Sequence, residues 1–465
     1  MKEYDLVVIG TGPAGHHGAI QAAKLSKRVA VAEMKSALGG ACINTGTIPS
    51  KTLREAVLHL SGFKQRGLYG MEYGTNARIS SEDLSRRVEE VIRTEIGVFT
   101  NQFRRNGVDI LTGRASFIEP HVIRVSSEDS EVTCRAENVL LATGTRPTHS
   151  DSIPLDGARI FDTDAMINLP VLPKLLTIVG GGVIGVEYAC MAAALGISVT
   201  LVERRPRILD FVDGQIVEAL SYHMRDHGVT FRLGEEVAEV SKSPEGKVCA
   251  RLNSKKQIWS DALLYAVGRQ GNTEALNLAA AGLEADERGR LRVNEQYQTA
   301  VPHIYAAGDV IGFPSLASVS MEQGRLAACH AFQHPASSAP DLFPYGIYSI
   351  PEISFVGKTE EQLTEADVPY EVGVAHYREI ARGQIIGDTT GLLKLLFHRE
   401  TRRLLGVHII GEGATELIHI GQAVLAFEGA IDFFVNTVFN YPTLAECYKV
   451  AALAGLNRLN YSGTA

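Results

Sequence analysis

Cys42 lies in the stretch Gly-Ala-Cys-Ile-Asn-Thr-Gly-Thr-Ile-Pro-Ser-Lys, five positions before Thr47. A cysteine thiol can act as a nucleophile or, together with a second sulfur, as half of a redox disulfide. The hydroxyl of threonine can form no such bond. The chain has no Cys-x-x-Cys and no zinc-ligand spacing, which indicates the reduced thiols of a cytosolic protein. Its other five cysteines are scattered at positions 134, 190, 249, 329 and 447.

Two glycine triplets are candidates for binding phosphate. Each follows a short apolar run, and in each an acidic residue comes 18 residues after the third glycine, Glu33 in the first copy and Glu203 in the second. A dinucleotide-binding fold places such an acid about 20 residues further on, where it accepts hydrogen bonds from a ribose. The triplets are Gly10, Gly12 and Gly15, and Gly180, Gly182 and Gly185.

A strand, a tight turn and a helix must position these groups. The first glycine allows the turn, the second lets a pyrophosphate approach the backbone, and the third lets helix and strand pack closely. The helix N-terminus then offers free N–H groups to the phosphates. One triplet alone is a weak signal, but two triplets, each with its acid, predict an α/β protein with two Rossmann-type domains.

Composition excludes several classes of protein. A length of 465 residues favours three domains, and 45% hydrophobic with 21% charged residues is typical of a soluble globular chain. The net charge of −8 argues against nucleic acid as a partner. No apolar run is long enough to cross a bilayer. His16 and His17 are adjacent in a predicted helix and do not share a face, so we expect packing or exposure there and no metal site. We expect a cytoplasmic protein without membrane or nucleic-acid partners.

The segment from residue 40 to 51 resembles the redox loop of the flavoprotein disulfide reductases, the family of lipoamide dehydrogenase and glutathione reductase. Members of that family carry Cys-x-x-x-x-Cys there, whereas this chain has Thr47 at the second position. The wording of residues 44–56 is most similar to the soluble pyridine nucleotide transhydrogenases of the family. The resemblance extends over the whole chain, with the family's motifs in the family's order.

The resemblance implies three domains. A discontinuous FAD-binding domain would comprise residues 1–149 and 270–338, an NAD(P)-binding domain 150–269, and a C-terminal α+β dimerisation domain 339–465. The first triplet is assigned to FAD and the second to the nicotinamide nucleotide because that is the family's order; spacing alone does not distinguish them. A homodimer or larger homo-oligomer is the expected assembly.

The resemblance also assigns roles to residues. Lys51 would lie against the flavin, paired with Glu187, and these two are the expected catalytic residues. Asp309 would bind the ribityl chain of FAD. For Cys42, a mostly buried thiol is a better interpretation than a catalytic one. The residues expected to bind cofactor or nucleotide are Gly10, Gly12, Gly15, Glu33, Cys42, Thr47, Lys51, Thr143, Gly144, Gly180, Gly182, Gly185, Glu203, Arg204, Arg205, Gly308 and Asp309.

The element that transfers protons in the disulfide reductases of the family is also changed. Disulfide reductases carry a His-Pro element near the C-terminus, and this chain has Tyr441 before Pro442. An ordinary tyrosine pKa of about 10 does not suit proton transfer at neutral pH. We expect Tyr441 and Glu446 to be structural, between subunits.

The expected nucleotides are both NAD and NADP. Glu203 suits the free 2′-hydroxyl of NAD, whereas Arg204, Arg205 and Arg207 could accommodate the 2′-phosphate of NADP. A solvated basic turn is an equally good interpretation of any single arginine.

The function that follows from the resemblance is FAD-dependent, reversible hydride transfer between NADPH and NAD, of the Si-specific type, with ping-pong kinetics in one nucleotide pocket. A quinone or oxygen reductase (diaphorase) and a non-enzymatic flavin redox sensor remain open as alternatives. Thr47 and Tyr441 disfavour an ordinary disulfide reductase.

Overall fold

The computed structural model describes residues 1–63, 68, 79–150, 152–166, 171–336, 338 and 342–462. The strands, in chain order, are β1 Lys2–Ile9, β2 Val29–Glu33, β3 Asp109–Thr112, β4 Arg114–Glu119, β5 Val122–Ser126, β6 Glu131–Leu141, β7 Thr145–Pro147, β8 Ile160–Asp162, β9 Leu175–Val179, β10 Ser198–Glu203, β11 Val229–Leu233, β12 Val237–Lys242, β13 Val248–Leu252, β14 Gln257–Ser260, β15 Ala262–Tyr265, β16 Arg269–Gly271, β17 Ile304–Ala306, β18 Tyr345–Ile347, β19 Ile353–Gly357, β20 Tyr370–His376, β21 Leu392–His398 and β22 Leu404–Ile410.

Helices connect and cover these strands. The α-helices are α1 Pro13–Lys24, α2 Gly40–Asn44, α3 Thr47–Ser61, α4 Ser81–Arg105, α5 Val183–Ala194, α6 Gly214–Asp226, α7 Ala317–Ala331, α8 Glu360–Glu365, α9 Ala381–Ile386, α10 Ala414–Ala426, α11 Asp432–Asn436 and α12 Glu446–Ser462. Short 3₁₀ helices lie at Glu274–Leu276, Leu278–Ala281, Asp309–Ile311 and Tyr377–Glu379.

The first sheet has the order β3-β2-β1-β6-β5-β4. Strand β17 also pairs with β6, along the part of β6 that β5 does not cover. β1 pairs in parallel with β2 and β6, and β2 with β3, while β4 and β5 turn back as antiparallel strands. β2 is buried along its whole length, as expected of an apolar strand covered on both faces. Helix α1 packs closely against α7, and this packing requires a glycine at position 324. A Cβ on Gly324 would lie 2.0 Å from the carbonyl oxygen of Ala14.

The second sheet repeats the design. Its parallel strands have the order β11-β10-β9-β15-β8. Helix α5 follows β9 and is buried around most of its circumference, and α6 follows β10. A small antiparallel sheet, β12-β13-β14, extends this unit. The two chain crossings between the units run side by side as the antiparallel pair β7 and β16.

The last unit is an antiparallel sheet, β18-β19-β22-β21-β20, with α10 and α12 packed on it. The predicted class is therefore confirmed: two Rossmann-type α/β units and a C-terminal α+β unit. Lys394 on β21 and Asp213 at the start of α6 are both fully buried, and the Lys394 Nζ lies 2.8 Å from Asp213 Oδ1. This ion pair joins the second unit to the third.

His16 is buried and stacks on Phe99 with ring centroids 4.0 Å apart. Among the described helices, none is long and apolar enough to cross a membrane.

Candidate functional site

Both glycine turns have the geometry that their motifs predict. Gly10 (φ +102°) and Gly180 (φ +111°) adopt backbone angles that favour glycine. A Cβ on Gly15 would lie 2.0 Å from the carbonyl oxygen of Gly10, and one on Gly185 would lie 1.9 Å from that of Gly180. The third glycine of each triplet therefore lets the helix approach its own turn.

The middle glycines face open space. A Cβ on Gly182 would have no atom within 4 Å among the described residues, and one on Gly12 would first meet the Cα of Gly40 at 4.0 Å. Gly12 and Gly182 are the N-cap residues of α1 and α5, and neither helix has a side-chain cap. Each helix thus presents uncapped N–H groups to a space that a pyrophosphate can enter.

This contrast gives a matched pair of substitutions. We expect Gly185→Ala to lower the free energy of unfolding by about 1–3 kcal/mol, because its methyl group would overlap the turn. Gly182→Ala should leave stability unchanged but weaken dinucleotide binding, because its methyl group would occupy the open space. Denaturant unfolding and nucleotide titration of both variants measure the two effects. Equal loss of stability in the two variants would contradict this account of the turn.

The two acids lie at the ends of β2 and β10, where each holds its own glycine turn. Glu33 accepts hydrogen bonds from the backbone N–H and the hydroxyl of Thr11 on Oε2, and from the N–H of Lys35 on Oε1 at 3.0 Å. The Thr11 hydroxyl in turn accepts the N–H of Gly39 at 3.0 Å. One acceptor position remains on Glu33 Oε1 for a further donor.

Glu203 differs from Glu33 because Arg205 forms hydrogen bonds to its carboxylate. Its Oε2 accepts the N–H of Gly181 at 2.6 Å and the Nη2 of Arg205 at 3.0 Å, while Oε1 accepts the N–H and the Nε of Arg205, both at 2.9 Å. Burial acts to raise the pKa of Glu203, but these donors outweigh it and hold the pKa below its usual value. All four acceptor positions of the carboxylate are filled by protein groups.

The three arginines of this segment have different surroundings. Arg205 also binds Asp210, with 2.5 Å between Nη1 and Oδ1. Arg207 points to the C-terminal unit, where its Nη1 lies 3.3 Å from Glu361 Oε1. Arg204 is exposed. Of the three, only Arg205 is in contact with the acid that the motif assigns to ribose.

Lys51 on α3 and Glu187 on α5 meet across the boundary of the two Rossmann units. The Lys51 Nζ lies 2.8 Å from Glu187 Oε2 and 3.0 Å from Oε1. The Glu187 side chain is 4% exposed and that of Lys51 is 25% exposed. The structure therefore brings together the two residues, 136 positions apart, that the resemblance paired.

The C-terminal unit completes this cluster in a way that sequence reasoning missed. The backbone N–H of Tyr348 donates to Glu187 Oε1 at 2.8 Å, and the Lys51 Nζ lies 5.0 Å from the centre of the Tyr348 ring. Arg54 on α3 donates to the carbonyl of Ser349 at 3.1 Å. No spacing pattern marks Tyr348, because its main contact is made through the backbone.

Cys42 and Thr47 end as neighbours, on α2 and at the first position of α3. Burial raises the pKa of Cys42, and a hydrogen bond with the Thr47 side chain partly offsets that effect. A thiol that is mostly protonated at neutral pH is a poor nucleophile. All six cysteines are free, and the five others are buried.

Where the chain crosses between the units, Asp309 contacts Thr145, and Asn272 donates to the carbonyl oxygens of Thr143 and Gly144. The Asp309 Oδ2 accepts the hydroxyl of Thr145 at 3.2 Å. Burial raises the pKa of Asp309, while nearby Arg269 and Thr145 oppose the rise. The hydroxyls of Thr143 and Thr45 are buried and have no hydrogen-bond partner in the described part of the chain. Gly308, before Asp309, donates its N–H to Gln323 at 2.9 Å.

Tyr441 lies in the loop between α11 and α12 and is 73% exposed in the single chain, and Glu446 begins α12. Their predicted place between subunits stays a prediction.

Comparison with known proteins gives a consistent result. Residues 4–324 match the model of a family described as pyridine nucleotide-disulphide oxidoreductase, and residues 343–452 match the dimerisation domain of that family. The chain is 53% identical over 461 residues to the soluble pyridine nucleotide transhydrogenase of Mycobacterium bovis, covering 99% of this chain and 98% of the relative. It is 46% identical over 463 residues to the protein of the same name from Colwellia psychrerythraea, covering 98% and 99%.

Solved structures also superpose closely on this chain. LpdA from Mycobacterium tuberculosis superposes with a TM-score of 0.90 at 26% identity, over 97% of this chain and 99% of that one. The HOCl-induced flavoprotein disulfide reductase RclA from Escherichia coli gives a TM-score of 0.86 at 29% identity, with the same coverage.

Proposed function

Because the chain belongs to the pyridine nucleotide-disulphide oxidoreductase family, and within it to the group of the soluble pyridine nucleotide transhydrogenases, we propose that it transfers hydride reversibly between NADPH and NAD through a bound FAD. Two features of the site support the proposal together. The chain keeps the Lys51–Glu187 pair beside the predicted flavin site, yet has Thr47 rather than a second sulfur beside Cys42. This pair would support a flavin as the hydride carrier, whereas a disulfide relay is absent from the described residues.

The residues of the first unit fit FAD. The uncapped N-terminus of α1 would take the pyrophosphate, and Glu33 has an acceptor position left for a ribose hydroxyl. Buried hydroxyls normally have a partner, so those of Thr143 and Thr45 fit a polar ligand in this space. The half-buried carboxyl of Asp309 suits the hydroxyls of the ribityl chain.

When bound, FAD accepts a hydride from one nicotinamide ring and returns it to another. Lys51 supplies a fixed positive charge to the site, because two hydrogen bonds to Glu187 hold its ammonium group in place. Charge that is already in place costs no reorganisation during the reaction. Glu187 is held in turn by the N–H of Tyr348, so the C-terminal unit positions the pair.

The second unit would take the nicotinamide nucleotides in turn. Glu203 has no acceptor position left while Arg205 lies on it, so a ribose hydroxyl can bind there only if Arg205 moves. The guanidinium that is released is a suitable partner for the 2′-phosphate of NADP. One exchangeable arginine thus offers a physical reason for use of both nucleotides. Si-specific transfer and a homodimer formed through residues 343–452 belong to the same proposal.

Steady-state kinetics test the proposal. With NADPH varied at several fixed concentrations of an NAD analogue that absorbs at a separate wavelength, we expect parallel double-reciprocal lines and competitive inhibition of each nucleotide by the other. Lines that intersect, with a detectable ternary complex, would contradict a single shared pocket. Rapid turnover with quinone or oxygen but none with NAD would favour a diaphorase.

A further inference from the structure

Arg205 is shared between two carboxylates at the edge of the second unit. Its Nε and Nη2 lie 2.9 and 3.0 Å from the two carboxylate oxygens of Glu203, and its Nη1 lies 2.5 Å from Asp210 Oδ1. The side chain of Glu203 is 6% exposed, whereas those of Arg205 and Asp210 are 36% and 45% exposed. The guanidinium group therefore lies between a buried acid at the end of β10 and a second acid at the surface.

The position of Asp210 is set by the backbone and not by its contact with Arg205. The preceding residue, Leu209, is fully buried, has a φ of +45°, and donates its N–H to the carbonyl oxygen of Gly181 at 3.0 Å. A residue other than glycine keeps such a backbone angle only where its surroundings enforce it. The carbonyl oxygen of Asp210 also accepts a hydrogen bond from Arg207 Nη2 at 2.6 Å. The backbone that carries Asp210 is thus held against the second glycine turn, whichever partner Arg205 has.

The same segment is fastened to the C-terminal unit on its other side. The ring of Phe211 lies with its centroid 5.2 Å from that of Tyr345 and 6.2 Å from that of Phe355. Arg207 binds Glu361 at the start of α8. Two units of the protein therefore hold the segment from residue 207 to 212, and the long side chain of Arg205 is the part of this cluster that can move.

The two nucleotides make opposite demands on Arg205. For NAD, the guanidinium must leave Glu203, and it can keep or extend its contact with Asp210 as it leaves, because guanidinium and carboxylate groups can form two parallel hydrogen bonds. For NADP, the guanidinium must turn towards the 2′-phosphate, which then competes with the Asp210 carboxylate for the same N–H groups. Asp210 therefore opposes the binding of NADP without opposing that of NAD.

We propose that Asp210 is a specificity-determining residue of the nucleotide site. It retains Arg205 in competition with the 2′-phosphate, and so shifts the preference of the protein from NADP towards NAD. The inference rests on the proposed function, because it requires the second unit to bind both nucleotides. Asp210 acts through Arg205 and is a positioning residue with no part in hydride transfer.

The test is calorimetric titration of the FAD-loaded Asp210→Asn variant with oxidised NADP and, separately, oxidised NAD. Asparagine keeps the size of the side chain, and position 210 is exposed, so folding should be unaffected. We expect the dissociation constant for NADP to fall about 2–5-fold, the range of an exposed ion pair, while that for NAD stays unchanged or rises. A general effect of removing one negative charge would instead tighten both nucleotides, since both carry the pyrophosphate.

Two further variants isolate the role of Arg205. Glu361→Gln removes a carboxylate of similar exposure, 49%, that binds Arg207 rather than Arg205, and it should leave the ratio of the two dissociation constants unchanged. Adding Asp210→Asn to Arg205→Ala should not tighten NADP, because contacting residues that act together are not additive. A gain that persists undiminished without Arg205 would mean that Asp210 repels the phosphate directly.

Three results would overturn the proposal: an unchanged ratio in Asp210→Asn, equal tightening of both nucleotides, or that undiminished gain in the absence of Arg205. Each of them leaves the proposed function intact as long as the unchanged protein binds both nucleotides. Failure of the unchanged protein to bind one of them would contradict the proposed function as well. Binding is measured without turnover, so a loss of catalytic rate cannot imitate any of these outcomes.

Discussion

Replacing Lys51 by methionine should lower the kcat for hydride transfer from NADPH to NAD about 100–1,000-fold, the usual effect of removing one preorganised charged or hydrogen-bonding group from an active site. Methionine keeps most of the apolar stem but removes the ammonium group that lies 2.8 Å from Glu187. It also leaves the buried Glu187 carboxylate with the N–H of Tyr348 as its remaining hydrogen-bond donor among the described residues. Stopped-flow absorbance of the flavin measures each half-reaction separately.

The control for this variant is Lys27→Met. Lys27 has a similar cation–π contact, with its Nζ 4.7 Å from the centre of the Phe332 ring, but it lies away from the site. Its replacement should leave both half-reactions unchanged. If Lys51→Met retains near-normal rates with full flavin occupancy, Lys51 has no electrostatic role in the reaction. Glu187→Gln should lose rate in the same way, since it releases Lys51 from its position.

Replacing Arg205 by alanine should weaken the binding of NADP about 10–100-fold while binding of NAD stays unchanged or tightens. A hydrogen bond to a charged group contributes about 1.5–3 kcal/mol, which corresponds to this range. NADP would lose the guanidinium as a partner for its 2′-phosphate. NAD would gain direct access to Glu203, whose acceptor positions Arg205 fills in the structure.

Arg207→Ala is the matched control, because Arg207 binds Glu361 rather than Glu203. It should change the affinity for neither nucleotide by more than a few fold. Fluorescence titration with NADP and NAD gives the dissociation constants. If Arg205→Ala weakens both nucleotides equally, Arg205 is a structural support of the turn and not a determinant of nucleotide choice.

Local patterns of the sequence predicted what depends on local geometry. Each glycine triplet forms a tight turn in which the third glycine packs against the carbonyl of the first. Any side chain at the third position would clash with that carbonyl. The acids Glu33 and Glu203 lie at strand ends because the same 18-residue spacing from the third glycine takes the chain along a 12-residue helix and back through the next strand. These features follow from spacing alone, since chain geometry leaves few alternatives.

Contacts between distant segments were not predictable in this way. Lys51 and Glu187 were paired through family resemblance and not by any periodicity. The hold of Arg205 on Glu203 depends on side-chain rotamers, and the Lys394–Asp213 pair depends on how two units pack. Tyr348 acts through a backbone N–H, which leaves no trace in residue type.

In the proposed reaction electrons go no further than the flavin, because Thr47 and not a sulfur lies beside Cys42. Anaerobic titration with NADPH tests it most directly. We predict that one hydride equivalent per FAD bleaches the flavin completely, that the count of reactive thiols does not change, and that NAD then restores the colour. Consumption of a second equivalent, with two new thiols appearing, would contradict the account.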